Sequence, residues 1–178
     1  MVQMKILDMG CNDHKHPDSI GIDINPKSQA DVIHDLNEIP YPFERGYFDL
    51  IICSHILEHL DDSVAVLKEL WRITKHCGVI EIRVPHYSGS GAWGNLEHVK
   101  AFSAGIATYI GNYMDGMFKI LKIRLNFFSS YEIRDSRIKK YLNGFIGFFA
   151  DRWIGLCDRT WSKWIGFNEI YIKLEVKK

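Results

Sequence analysis

The sequence predicts an α/β protein built on a doubly wound sheet of seven strands, and three observations carry that expectation. Short, strongly apolar runs follow one another through the first half of the chain. An amphipathic stretch of helical spacing separates the fourth run from the fifth. The order strand, helix, strand then returns in the last third. Strands that alternate with helices imply βαβ units and a largely parallel sheet.

Taken in order, "MKILDMG" (4–10) is a buried strand that leaves through a tight turn at Gly10. "IGIDINP" (20–26) is a second strand, stopped by Asn25-Pro26, and "ADVIHDL" (30–36) is a third. "YFDLIICS" (47–54) is apolar enough for a central strand covered on both faces. From Asp61 to Thr74 the apolar residues Val64, Leu67, Leu70, Trp71 and Thr74 keep helical spacing, with Asp61, Asp62 and Ser63 available as caps. Leu67 and Trp71 read as core residues, and "KHCG" closes the helix. "VIEIRVP" (79–85) is the fifth strand. A Gly/Ser-rich loop, a helix over 101–113, a sixth strand over 117–128 and helical sequence over 136–166 follow. "EIYIKLEVK" (169–177) alternates Ile170, Ile172, Leu174 and Val176 with polar residues, the mark of a half-exposed seventh strand.

The bulk numbers narrow the function classes. The 178 residues suit a single domain spanning 1–178. At 47% apolar and 25% charged, the chain has the profile of a globular protein. Lys plus Arg (22) balances Asp plus Glu (22), so the basic excess of a nucleic-acid binder is missing. Cys11, Cys53, Cys77 and Cys157 are scattered and form no C-x-x-C, which reads as reduced thiols and a cytoplasmic location. No apolar run approaches the roughly 20 residues that span a bilayer.

In sheets of this kind, ligands bind beyond the carboxyl ends of the strands, near the switch in strand order. The residues there are Asp8 and Gly10, Asp23, Asp35, Ser54 and His55, and His86 with Tyr87. An acid closing strand two suits a ribose, because a carboxylate accepts from both hydroxyls. Three acids around one crevice suit a ligand that carries positive charge and would repel a phosphate.

These segments resemble the class I S-adenosylmethionine-dependent methyltransferases, of the type 11 branch. The likeness rests on "ILDMGCN", "GIDINP", "DVIHDLNEIPYPFERGYFDLIICSHILEHLDD" and "VLKELWRITKHCGVIEIRVPHYS", and covers residues 4–105. It implies a Rossmann-like sheet, mostly parallel with an antiparallel last strand, S-adenosyl-L-methionine as cofactor, and methyl transfer. Residues 1–105 would then be the cofactor-binding part and 106–178 the substrate-side part. The resemblance sets Asp8 and Gly10 against the methionine portion of the cofactor, Asp23 on the ribose, and Ile24 beside the adenine. It sets Asp35 and Leu36 at the adenine edge, and Ser54 and His55 near the methionine group. His59, His86 and His98 are the candidate general bases for a small-molecule acceptor.

Two features depart from the family. The expected Gly-x-Gly-x-Gly reads Gly10-Cys11-Asn12-Asp13-His14, where Asn12 is the best substitute for glycine in a left-handed turn. About ten residues separate the first two strands, too few for a crossover helix, so "CNDHKHPDS" crosses as a compact loop. A binding module that has lost catalysis is therefore the alternative reading. A zinc hydrolase is a second one, since His55, Glu58 and His59 spell H-x-x-E-H. Spacing signals no third ligand, and His55 is expected in a turn, so no metal is assigned. The segment 137–167 reads as helix packed on the sheet, or as a lid, a dimer face or a membrane-surface patch.

Overall fold

The computed structural model describes residues 4–129, 136–159 and 166–178. Apolar runs that must be covered on both faces become the centre of a seven-stranded sheet, ordered β3-β2-β1-β4-β5-β7-β6. The strands are β1 (Ile6–Met9), β2 (Ser19–Asp23), β3 (Val32–Ile33) and β4 (Phe48–Ser54), then β5 (Thr74–Pro85), β6 (Phe118–Asn126) and β7 (Glu169–Val176). The first five pair in parallel, while β7 runs antiparallel to both β5 and β6. The order turns back between β1 and β4, which places a crevice at their carboxyl ends.

The helices are α1 (Ser63–Ile73), α2 (Gly105–Tyr113), α3 (Arg137–Arg152) and α4 (Ile154–Arg159). Asp62 caps α1, its Oδ1 accepting from the amides of Val64 (3.0 Å) and Ala65 (2.9 Å). Leu67, Leu70 and Ile73 go into the core. Trp71 packs at the core's edge, where its indole N–H donates to the Lys177 carbonyl at 2.6 Å. "KHCG" does not end in a loop. Residues 75–78 bulge within β5, with Cys77 at φ 59°, so α1 passes directly into the strand. The helix expected over 101–113 starts later, at Gly105. The helical reading of 136–166 holds through Arg159, and residues 160–165 lie outside the described residues.

The connections of β1–β3 contain no helix among the described residues. Residues 10–18 cross from β1 to β2 as turns, held by carboxylates rather than by apolar packing. Asp8 Oδ2 accepts from the His16 amide (2.7 Å), Asp23 Oδ2 from the Asn12 amide (2.9 Å), and Asp31 Oδ2 from the Gly21 amide (2.7 Å). Lys15 closes the loop onto Asp31 through its ammonium at 2.8 Å. The segment between β3 and β4 is likewise pinned by polar groups on α1. Glu69 accepts from the Tyr41 amide (2.7 Å), and Arg72 donates to the Phe43 carbonyl (2.9 Å). No described helix is long and apolar enough to cross a membrane.

Candidate active site

Every residue that the resemblance sets against the cofactor lines one cleft of about 1200 Å³ beyond the carboxyl ends of β1, β2, β3 and β4. Its floor turns at Gly10 (φ +64°), where a Cβ would meet Ile56 Cδ1 at 2.6 Å, so a side chain there is strained and must displace Ile56. Two residues on, Asn12 takes φ 42°, the left-handed role its side chain suits. Asp8 and Asp23 are buried at the strand ends. Burial raises the Asp8 carboxyl above its ordinary value, against the lowering pull of the His16 amide and of the His16 and Lys15 charges. The Cys11 thiol is pushed up to about 11 by burial and by the neighbouring Asp8 and Asp23, which keeps it protonated. Ile24 stands exposed at the rim, whereas Leu36 is buried and lies at the wall beside Asp35.

Ser54 ends β4, and His55 follows at φ 54°, its amide donating to the Arg83 carbonyl at 2.8 Å. That left-handed turn swings the imidazole away from the strand axis toward β7. There Nε2–H donates to Glu169 Oε2 at 2.9 Å, and Nδ1 lies 3.5 Å from Glu58 Oε1. Burial alone would lower the His55 pKa, but the bond to Glu169 and the nearness of Glu58 raise it to about 9. His55 is thus a cation at neutral pH.

The three candidate bases separate in space. His59 lines both the cofactor cleft and an adjoining pocket of about 460 Å³, and His98 lines the second pocket. Their rings meet edge to face, centroids 4.7 Å apart. His86 is elsewhere. It is fully buried and lines neither space, accepting from the Ser88 amide at Nδ1 (3.2 Å) and donating from Nε2 to Asp158 Oδ1 (2.9 Å). Both nitrogens are occupied, so His86 is removed from the bases and holds the loop after β5 onto α4.

Three acids in this neighbourhood escaped the sequence reading: Glu169, Asp158 and, as a pocket group in its own right, Glu58. Glu169 carried a signal, an acid opening an otherwise alternating strand. Asp158 carried none. H-x-x-E-H is broken at its first member, for His55 turns to Glu169 while Leu57–His59 forms a single 3₁₀ turn.

Residues 7–82 match a family described as a methyltransferase domain. The match covers less than half of the chain, and the strand order above is the one that the resemblance to the class I S-adenosylmethionine-dependent methyltransferases implies. The matched segment runs from β1 into β5, the part of the chain that lines the cleft. No curated protein sequence matches the chain. Among solved structures, a SAM-dependent methyltransferase from Archaeoglobus fulgidus is 19% identical, with a TM-score of 0.63 over 97% of this chain and 86% of that one. An S-adenosylmethionine-dependent methyltransferase from Mesorhizobium loti is 12% identical, TM-score 0.60, covering 97% and 90%. The [4+2]-cyclase SpnF is 15% identical, TM-score 0.62, covering 98% and 74%. At these identities the likeness is one of fold.

The cleft suits the cofactor. Asp8, Asp23 and Asp35 give it an acidic lining for a cationic ligand, while Lys15, the lysine at its rim, is already paired with Asp31. The Asp23 carboxylate spends one lone pair on each of the Asn12 and Asn25 amides (2.9 and 2.8 Å), which leaves further lone pairs for hydroxyl donors.

Proposed function

We propose that the protein transfers a methyl group to a small-molecule acceptor by direct in-line displacement, with the acceptor seated in the second pocket. The observation that carries this reading is the adjacency of the two spaces. The larger, acidic one lies at the strand ends and the smaller one opens beside it, with His55 and His59 lining both. About 460 Å³ is the size of a small-molecule site.

When bound, S-adenosylmethionine supplies a methyl on a positively charged sulfur that leaves as a neutral thioether. The chain's part is to orient and to handle the acceptor's proton. Asp23 would hold the ribose hydroxyls and Asp8 the cationic amino-acid end. Gly10 and Asn12 shape the backbone beneath them, and Ile24 and Leu36 offer the apolar flank for the base. Holding nucleophile and methyl roughly 3–3.5 Å apart and in line removes much of the barrier. His59 and His98 are the imidazoles that face the acceptor, and in the absence of any other activator they receive its hydroxyl proton.

Calorimetric titration with S-adenosylmethionine, for the wild type and Asp23→Ala, tests the reading. Binding in the micromolar range that is lost in the variant is the expected result. No binding at millimolar cofactor overturns it and leaves a module of this fold without methyl transfer.

A further inference from the structure

The second pocket contains a group that methyl transfer as described above does not use. Glu58 is 1% exposed, and neither carboxylate oxygen accepts a hydrogen bond among the described residues. A buried carboxylate left in that condition is costly unless a cation completes it. The His55 imidazolium stands beside it, Nδ1 at 3.5 Å from Oε1, but its other nitrogen lies 2.9 Å from Glu169, so one cation is shared between two buried carboxylates. On the open side stand two imidazoles. One ligand atom from each of Glu58, His59 and His98 can be chosen so that all three lie within 4.8 Å of one another.

We propose that Glu58, His59 and His98 bind one divalent first-row transition-metal ion at the junction of the cofactor cleft and the acceptor pocket. Four features of the site support it. Two imidazoles and one carboxylate on one side of an ion leave further positions open, the arrangement that suits Fe²⁺, Mn²⁺, Co²⁺ or Zn²⁺. The His98 Nδ1 lies 3.3 Å from the Ala92 carbonyl. A carbonyl only accepts, so Nδ1 carries the proton and Nε2 keeps the lone pair a metal requires. The ligands are also held by backbone from a distant segment, since the Val99 amide donates to the Glu58 carbonyl at 2.9 Å, docking residues 95–100 over the 3₁₀ turn. Lys100 fastens the same segment to the start of α1, through the Asp61 carbonyl (2.9 Å) and Ser63 Oγ (3.1 Å).

The role of the ion rests on the methyltransferase reading, though its binding does not. Glu58, His59 and His98 all line the acceptor pocket, so an ion they held would stand at its wall, and the acceptor would be one that offers a hydroxyl oxygen as ligand. Bound to the ion, that hydroxyl gives up its proton to water at a lower pH than in solution. Its oxygen forms the new bond to carbon as the carbon–sulfur bond breaks and returns its electron pair to sulfur. His59 and His98 then serve as ligands, and the ion takes over the activation assigned to them above.

The test is titration of chelator-treated full-length protein with Co²⁺, read by calorimetry and by visible absorption, with Mn²⁺ as a second probe. One equivalent of Co²⁺ per chain is expected. Loss of affinity on the order of 100-fold is expected in both His98→Ala and Glu58→Gln, since even indirect supports of a metal are worth 10–100-fold. His34→Ala, whose ring bonds the Glu38 carbonyl away from the pocket, should bind as the wild type does. Thermal melting shows whether the variants fold. Absence of stoichiometric metal, or binding undiminished in a folded His98→Ala, overturns the proposal. S-adenosylmethionine titration of the same samples reports separately on the methyltransferase reading. Metal without cofactor sinks only that reading, and cofactor without metal sinks only this one.

Discussion

The two halves of the sheet are held by different forces. From β4 onward, connections run through α1 to α4, and alternate residues such as Ile80, Ile82, Ile172 and Leu174 are fully buried between strands and helices. From β1 to β3, the crossovers are turns tied down by Asp8, Asp23 and Asp31 through backbone amides. Apolar burial is non-directional and large, while a hydrogen bond in a partly exposed loop adds only about 0.5–1.5 kcal/mol net. The helical half is therefore the stable part. The turn-built half trades packing for an open crevice whose walls are backbone and carboxylate, a lining that suits a polar, cationic ligand.

The centre of the helical half should be the most sensitive to truncation. Ile172 on β7 lies opposite Ile82 on β5 and is fully buried, so Ile172→Ala should cost about 2–5 kcal/mol in denaturant unfolding. A loss below 1 kcal/mol would show that the helical half is not where stability resides. The next largest effect belongs to the hinge between the halves. Gly10→Ala forces an L side chain to φ +64° and into Ile56, at a cost of roughly 1–3 kcal/mol. Cofactor affinity should fall along with it, because Ile56 and the His55 turn shift together. Unchanged calorimetric binding would show that the cleft floor tolerates the shift.

Asp31→Ala sharpens the contrast more gently. It removes the acceptor for the Gly21 amide and frees Lys15, and should lower global stability by about 1 kcal/mol. Hydrogen exchange should show protection lost over residues 10–23 and kept in β5 and β7. Uniform loss across the sheet would erase the distinction between halves.

The smallest effect is on acid response. The Lys15 ammonium, with the Gly21 amide, holds the Asp31 carboxyl below its ordinary value. A lowered folded-state pKa contributes stability above the unfolded value, near 3.9 for Asp, that is lost as pH falls through the folded one. Asp8 works the other way, since its raised carboxyl gains relative to the unfolded chain on acidification. The 10–18 crossover of the wild type should thus loosen below about pH 4, and Asp31→Ala should show a weaker acid dependence. Equal slopes in exchange-detected acid titration would remove Asp31 from the account.

Much of this was legible in one dimension because it is local. Each early strand ends in its own acid or glycine, so Asp8, Gly10, Asp23, Asp35, Ser54 and His55 could be placed at a common edge once strands alternated with helices. Asn12 could be assigned its left-handed turn from its side chain alone, and the brevity of 10–18 ruled out a crossover helix there. Hydrophobic period and turn chemistry act over a few residues, and sequence displays both.

Partnership across the sheet could not be seen that way. His55 meets Glu169 across 114 positions, and His86 meets Asp158 across 72. The first draws the opening imidazole of H-x-x-E-H out of line, and the second buries a histidine that local position had made a candidate base. The approach of His98 to Glu58 and His59 depends on residues 95–100 docking over a 3₁₀ turn. The strands and the acidic edge follow from patterns within each segment, and so they can be read from the residues in order. Tertiary contacts alone set the surroundings of each imidazole: His55 between Glu58 and Glu169, His86 on Asp158, His59 and His98 together at the second pocket. An imidazole's role is set by the group its other nitrogen meets, and here that group comes from another part of the chain.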